Sequence, residues 1–91
     1  MLHRLRPRIP PDDDILVARS TQDVKRAVSR VLRIVRRRLA PDDPLRIRIE
    51  GRLYRVRVSM DRVVRCGTAR RLSVATESLG VIRTCVDALM R

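Results

Sequence analysis

Apolar and polar residues alternate in two runs, 45–50 and 54–60, within Leu45–Met60, LRIRIEGRLYRVRVSM. Leu45, Ile47 and Ile49 interleave with Arg46, Arg48 and Glu50; Tyr54, Val56, Val58 and Met60 interleave with Arg55, Arg57 and Ser59. Period two marks a half-buried strand, and a two-residue Gly51-Arg52 loop suits a primed turn, so the pattern predicts an antiparallel hairpin. In that register Ile49 opposes Tyr54, Ile47 opposes Val56 and Leu45 opposes Val58. The apolar side chains then share one face, with Arg46, Arg48, Arg55 and Arg57 on the other, and a one-residue slip destroys the segregation.

A different period governs the flanks. Val24, Ala27, Val28, Val31, Leu32, Val35 and Leu39 form one stripe at helical spacing, which predicts a first helix. Ser20-Thr21-Gln22-Asp23 reads as its capped start, and Ala40-Pro41 as its end. Ahead of it the apolar run Ile15–Ala18 reads as a short buried strand. Leu72, Ala75, Leu79, Ile82, Val86 and Leu89, at alternating spacings of three and four, predict a final helix over Ala69–Arg91. Asp61–Thr68 is left between two readings, a kinked continuation of the second hairpin strand or a third short strand. The expected architecture is an α+β domain of order β-α-β-β-α over residues 15–91, an antiparallel sheet with two helices packed on one face. Residues 1–14 read as a mobile basic arm rich in proline.

The final helix is apolar beyond its seam, since Val74, Val81, Cys85 and Ala88 lie outside it and Glu77 is the only charge between Ser73 and Ile82. Such a helix is buried on more than one side. Gly80 in its interior costs roughly 1 kcal/mol relative to alanine, which a close backbone approach would offset. Leu72, Ala75, Leu79, Gly80, Ile82, Val86 and Leu89 are therefore expected at a protein interface, in a homodimer or against a larger partner.

Charge adds a second expectation. The chain carries 22 Lys and Arg against 10 Asp and Glu, a formal net charge of +12, and its pI is near 11.7. A balance this basic steers a protein toward phosphate backbones. Arg26, Arg30, Arg33 and Arg37 run opposite the first helix's apolar stripe. Together with Arg46, Arg48, Arg55 and Arg57 they are the candidate nucleic-acid contacts. Like charges facing one another across a hairpin are destabilising, so the cluster reads either as a polyanion surface or as the solvated face of an arginine-rich composition. With one Tyr and no Phe or Trp there is no platform for stacking bases, and any RNA is read by shape and backbone. The absence of Asn and the single Gln are a thermophile signature.

Chemistry is sparse. Cys66 and Cys85 lack the paired spacing of a zinc site and read as inert thiols, with a disulfide as the alternative; His3 and Asp12–Asp14 have no further ligand candidates. No nucleophile–base set, phosphate-binding glycine loop or cofactor motif occurs, so the expectation is a non-enzyme without cofactor. The lack of a long apolar run points to a cytoplasmic protein without a membrane partner.

The strand–helix–strand–strand–helix order over Ile15–Met90, with the hairpin LRIRIEGRLYRVRVS and the final helix RRLSVATESLGVIRTCVDALM, resembles the Pcc family. That family supplies the small dimer-forming subunit of the KEOPS complex, which makes threonylcarbamoyl-adenosine in tRNA. The resemblance rests on the hairpin and on the Ser73, Thr76, Ser78, Leu79, Ile82 rhythm of the final helix. It implies a non-catalytic homodimer that packs helices against a Kae-type catalytic subunit and helps to hold tRNA, with assembly on the final helix and tRNA on the basic faces. YRVRVS is also similar to an archaeal-type ribosomal protein of the L-thirty-eight kind. A basic chromatin protein that grips DNA by its backbone is the third reading.

Overall fold

The computed structural model describes residues 10–91, with side chains from Thr21 onward, and among these residues there is no strand. Three helices follow one another: α1 (Pro10–Arg38), α2 (Pro44–Arg62) and α3 (Thr68–Met90). The expected α+β fold with its antiparallel sheet is thus overturned by an all-helical bundle, and the stretch expected to form the hairpin is the middle helix.

Two periods coexist in that stretch, which is why it misleads. Residues two apart stand about 200° apart around an α-helix. In each of the pairs Ile47/Ile49 and Tyr54/Val56, one member faces the core and the other faces water. Ile49, Leu53, Val56 and Met60 are buried, and Val63 just beyond the helix continues the row, a spacing of four, three, four and three. Ile47 and Tyr54, placed in the core by the hairpin register, are 58% and 69% exposed. The helix wins on two physical grounds. As a helix the segment gathers Leu53, which the hairpin register sets opposite Glu50 on the arginine face, into one seam with Ile49, Val56 and Met60 that both other helices share. The hairpin also sets Arg46 against Arg57 and Arg48 against Arg55; on a helix those pairs lie about 16 and 10 Å apart along the axis.

Local signals start α2 as well. The Asp43 side chain accepts a hydrogen bond from the Leu45 N–H at 2.8 Å, and Pro44 occupies the first turn. This is the N-cap and N1-proline arrangement, not a turn into a strand.

α1 is longer than its stripe suggests. It includes Ile15–Ala18, expected as a strand, and passes through Ser20–Asp23, expected as its start. It also takes in Pro10–Asp14 of the segment expected as an arm, while the rest of that arm, residues 1–9, lies outside the described residues. The apolar stripe itself packs as its period demands, with Val24, Val28, Val31 and Val35 buried and Ala27, Leu32 and Leu39 against them.

Two five-residue connections, Leu39–Asp43 and Val63–Gly67, are too short to span a helix, so neighbours in sequence run antiparallel. Side-chain pairs agree: Lys25 meets Asp61 at one end of the α1–α2 pair and Arg36 meets Glu50 at the other. Every helix touches both others, α1 and α3 most extensively. The residues left open between Asp61 and Thr68 are the end of α2 and its connection to α3. There Cys66 N–H bonds the Val63 carbonyl at 3.0 Å, and the Arg71 guanidinium reaches the Val64 carbonyl at 3.5 Å.

The core is a valine-rich seam with no aromatic residue. From α3 it takes Val74, Ala75, Ser78, Ile82 and Cys85, a row turned away from the expected one. Ala75 and Ile82 belong to both, but Leu79 is 43% exposed. Gly80 is exposed, and a Cβ there would meet nothing within 4 Å, so no close approach inside this chain explains it.

Alanine substitutions read out the helical register. Leu53→Ala is expected to cost about 2–5 kcal/mol, and Ile47→Ala or Tyr54→Ala less than about 0.5 kcal/mol, measured by urea unfolding; a hairpin would make the latter two costly. Gly80→Ala should stabilise by up to about 1 kcal/mol and raise Tm, the opposite of what a tight glycine contact requires.

Candidate nucleic-acid interface

The helical fold redistributes the eight nominated arginines. Arg26, Arg30, Arg33 and Arg37 stay together because their spacing is helical: all four are exposed on the face of α1 opposite the buried valines. They extend over about 16 Å of helix. None of the four makes an ion pair among the described residues; the pairs present there are Lys25–Asp61 (3.9 Å), Arg36–Glu50 (3.4 Å) and Arg46–Glu50 (3.3 Å).

The quartet Arg46, Arg48, Arg55 and Arg57 does not share a face. Arg46 and Arg57 lie on the flank of α2 turned toward α1, and Arg48 and Arg55 on the other flank. Arg46 is committed to structure. Its side chain is only 16% exposed, one guanidinium nitrogen donates to the Leu39 carbonyl at 3.0 Å, and another meets Glu50. It therefore satisfies a carbonyl just past the C-terminus of α1, which a cation does well. Arg57 moves the other way and joins a functional cluster, for it lines one open hollow between α1 and α2 with Ser29, Leu32, Arg33, Arg36 and Arg37. Arg36, adjacent to Arg37, links the arginine row to α2 through Glu50 and the shared hollow, and no spacing rule within one helix would reveal it. Arg55 lies instead in the α2–α3 hollow with Arg52, Ser59, Glu77 and Ser78.

The seven residues expected at a protein interface divide as well. Ala75 and Ile82 are buried in the chain's own core; Val86 and Leu89 pack against that core, and Leu72 is half-buried. Leu79 and Gly80 remain exposed. The larger exposed apolar side chains lie elsewhere, at Ile47, Tyr54, Val64 and Met90.

Neither cysteine is in a disulfide; Cys85 is buried and Cys66 partly so. Burial pushes the Cys85 thiol up from its ordinary value, and the Arg52 guanidinium pulls weakly the other way. Among the described residues no group of three or more His, Cys, Asp or Glu is placed to hold a metal ion, and no helix is long and apolar enough to cross a membrane.

A scan of family models and searches of curated proteins and solved structures find no match to this chain. Of the features that carried the Pcc resemblance, the hairpin and the strand-containing order are absent among the described residues, while the final-helix rhythm lies within α3.

Two measurements test the reassigned side chains. Arg46→Ala should lower stability by about 1 kcal/mol through its lost charged hydrogen bonds, whereas Arg48→Ala should leave it unchanged. A thiol reagent should modify Cys66 before Cys85 in the native protein. Because the folded-state value of Cys85 is raised, its contribution to stability is whole below the ordinary thiol range and should fade as pH rises through it; Cys85→Ser should remove that alkaline decline.

Proposed function

We propose that this chain is a non-catalytic nucleic-acid-binding module that grips the phosphate backbone through α1. The observation that carries the reading is the row Arg26, Arg30, Arg33 and Arg37, exposed and without ion-pair partners among the described residues. Arg26 with Arg30 and Arg33 with Arg37 are like-charge pairs at i,i+4. Each disfavours an isolated helix by about 0.2–0.5 kcal/mol. A merely solvated face relieves that repulsion by interspersing acids; here Asp23 lies one turn before Arg26, but no acid falls between Arg26 and Arg37. An anionic strand laid along the row turns the cost into binding energy, since arginine forks pair well with phosphate. Arg36 and Arg57 extend the positive surface across the α1–α2 hollow. A lipid surface fits less well, because the apolar stripe of α1 is consumed by the core and cannot insert. The accessory role in RNA modification is kept as the narrower form of this proposal, to be decided by the choice of nucleic acid.

Labelled tRNA and a matched DNA duplex should both lose affinity steeply with salt. With four phosphates neutralised the slope of log K against log salt is about −3.6 on a duplex. Arg30→Glu/Arg33→Glu should weaken binding at least about tenfold and flatten the slope by about 2, with no change in Tm beyond the relief of like-charge repulsion. Preference for tRNA supports the RNA-accessory form, and equal binding supports a general backbone binder. An unchanged slope in the double variant refutes the α1 row as the contact surface.

A further inference from the structure

The second set of apolar residues in α2 is left largely uncovered by the described residues. Ile47, Gly51, Tyr54 and Val58 follow one another at four, three and four, the spacing of a helix–helix seam, on the side of α2 opposite its buried row. Ile47 and Tyr54 are mostly exposed; Gly51 and Val58 are half-buried. Gly51 sits mid-helix, where glycine is unfavourable, and a Cβ at that position would meet nothing within 4 Å. None of the described residues requires glycine there, whereas a second helix laid against the stripe would gain close backbone approach. Charge borders the stripe unequally. Arg48, Arg55 and Arg62 recur every seven residues along one edge. On the other edge, Arg46 and Glu50 are engaged with each other and Asp61 with Lys25, and Arg57 alone is exposed without an ion-pair partner among the described residues.

We propose that this outer face of α2 docks an amphipathic helix of a partner protein whose apolar seam is bordered by Asp and Glu. The seam covers about three helical turns, so a partner helix of similar length suffices. Charge selects the occupant. A second copy packed antiparallel on this face would set Arg48, Arg55 and Arg62 against the same row. The chain's own residues 1–9 carry Arg4, Arg6 and Arg8 and no acid, so like charge disfavours them too. An acidic helix supplies both the apolar cover and the counter-charge. Gly51 and Tyr54 share a hollow with Arg36 and Arg57, but the stripe includes none of the four α1 row arginines and the proposal does not rest on the nucleic-acid reading.

The test uses the full chain and a labelled helical peptide of about three heptads, with Leu and Ala at its seam positions and Glu beside them. A scrambled peptide of the same composition is the control. At physiological salt the patterned peptide is expected to bind at least about tenfold more tightly than the scrambled one. Ile47→Ser/Tyr54→Ser and, independently, Arg48→Glu/Arg55→Glu should each abolish that advantage with helical content unchanged, and Ile47→Ser/Tyr54→Ser should leave tRNA affinity unchanged. Gly51→Ala should raise Tm while weakening the peptide, a pair of opposite effects that a purely structural glycine does not produce. Four outcomes overturn the proposal. They are equal binding of the two peptides, undiminished binding in the stripe variants, a dimer that Ile47→Ser/Tyr54→Ser converts to monomer, and loss of tRNA affinity in that same variant. The last two assign the face to a second copy or to nucleic acid. A failed peptide assay with intact tRNA binding refutes this surface alone, and the reverse refutes the α1 reading alone.

Discussion

The bundle depends on one constraint: α2 must present Ile49, Leu53, Val56 and Met60 to two helices at once. With no Phe or Trp in the chain and its Tyr in solvent, no large ring can plug a gap, and the core is assembled from branched aliphatics, Met60, Ala75 and Cys85. Leu53 is wholly enclosed. Small side chains let three helices approach closely, but each contributes little area, so the register of every seam matters. Ser78 shows how tight the fit is. It is buried between α2 and α3, and its hydroxyl lies 3.8 Å from the Met60 sulfur, a weak acceptor in place of a good one.

Electrostatics then has to be accommodated around that core. Seventeen of the arginines fall among residues 21–91, and a thin helical bundle spreads them over three outer surfaces, where a hairpin face would have crowded four into one patch. Glu50 serves two of them, Arg36 from α1 and Arg46 from α2, so a single carboxylate stitches the α1–α2 corner. These pairs are partly exposed and individually modest. Their structural worth lies in orientation, since Arg46 also holds the Leu39 carbonyl at the helix turn. Among the arginines outside these pairs, two sets are regularly spaced, a row on α1 and an edge on α2. The row lies opposite its helix's buried valines, whereas the edge borders an apolar stripe, and the two proposals follow that difference.

The periods of three and four determined α3 and, from Val24 onward, α1 from sequence alone, because a stripe of six or seven apolar residues at helical spacing has no sensible reading as a strand. The first half of α1 has no such stripe and reads as an arm and a strand. The α1 arginine row was legible for the same reason, being set by spacing within one helix. α2 was not legible, because its apolar residues satisfy periods of two and of three to four together, and the choice between them is made by partners. The cap at Asp43-Pro44 was a local signal for the helix, outweighed in the reading by strict alternation. Only the assembled bundle decided which apolar stripe of α2 is core and which is surface. Only it separated Arg46 from Arg57 and rotated the α3 seam so that Cys85 went inside and Leu79 out. Those outcomes depend on contacts between residues far apart in the chain, and no pattern within one segment carries that information.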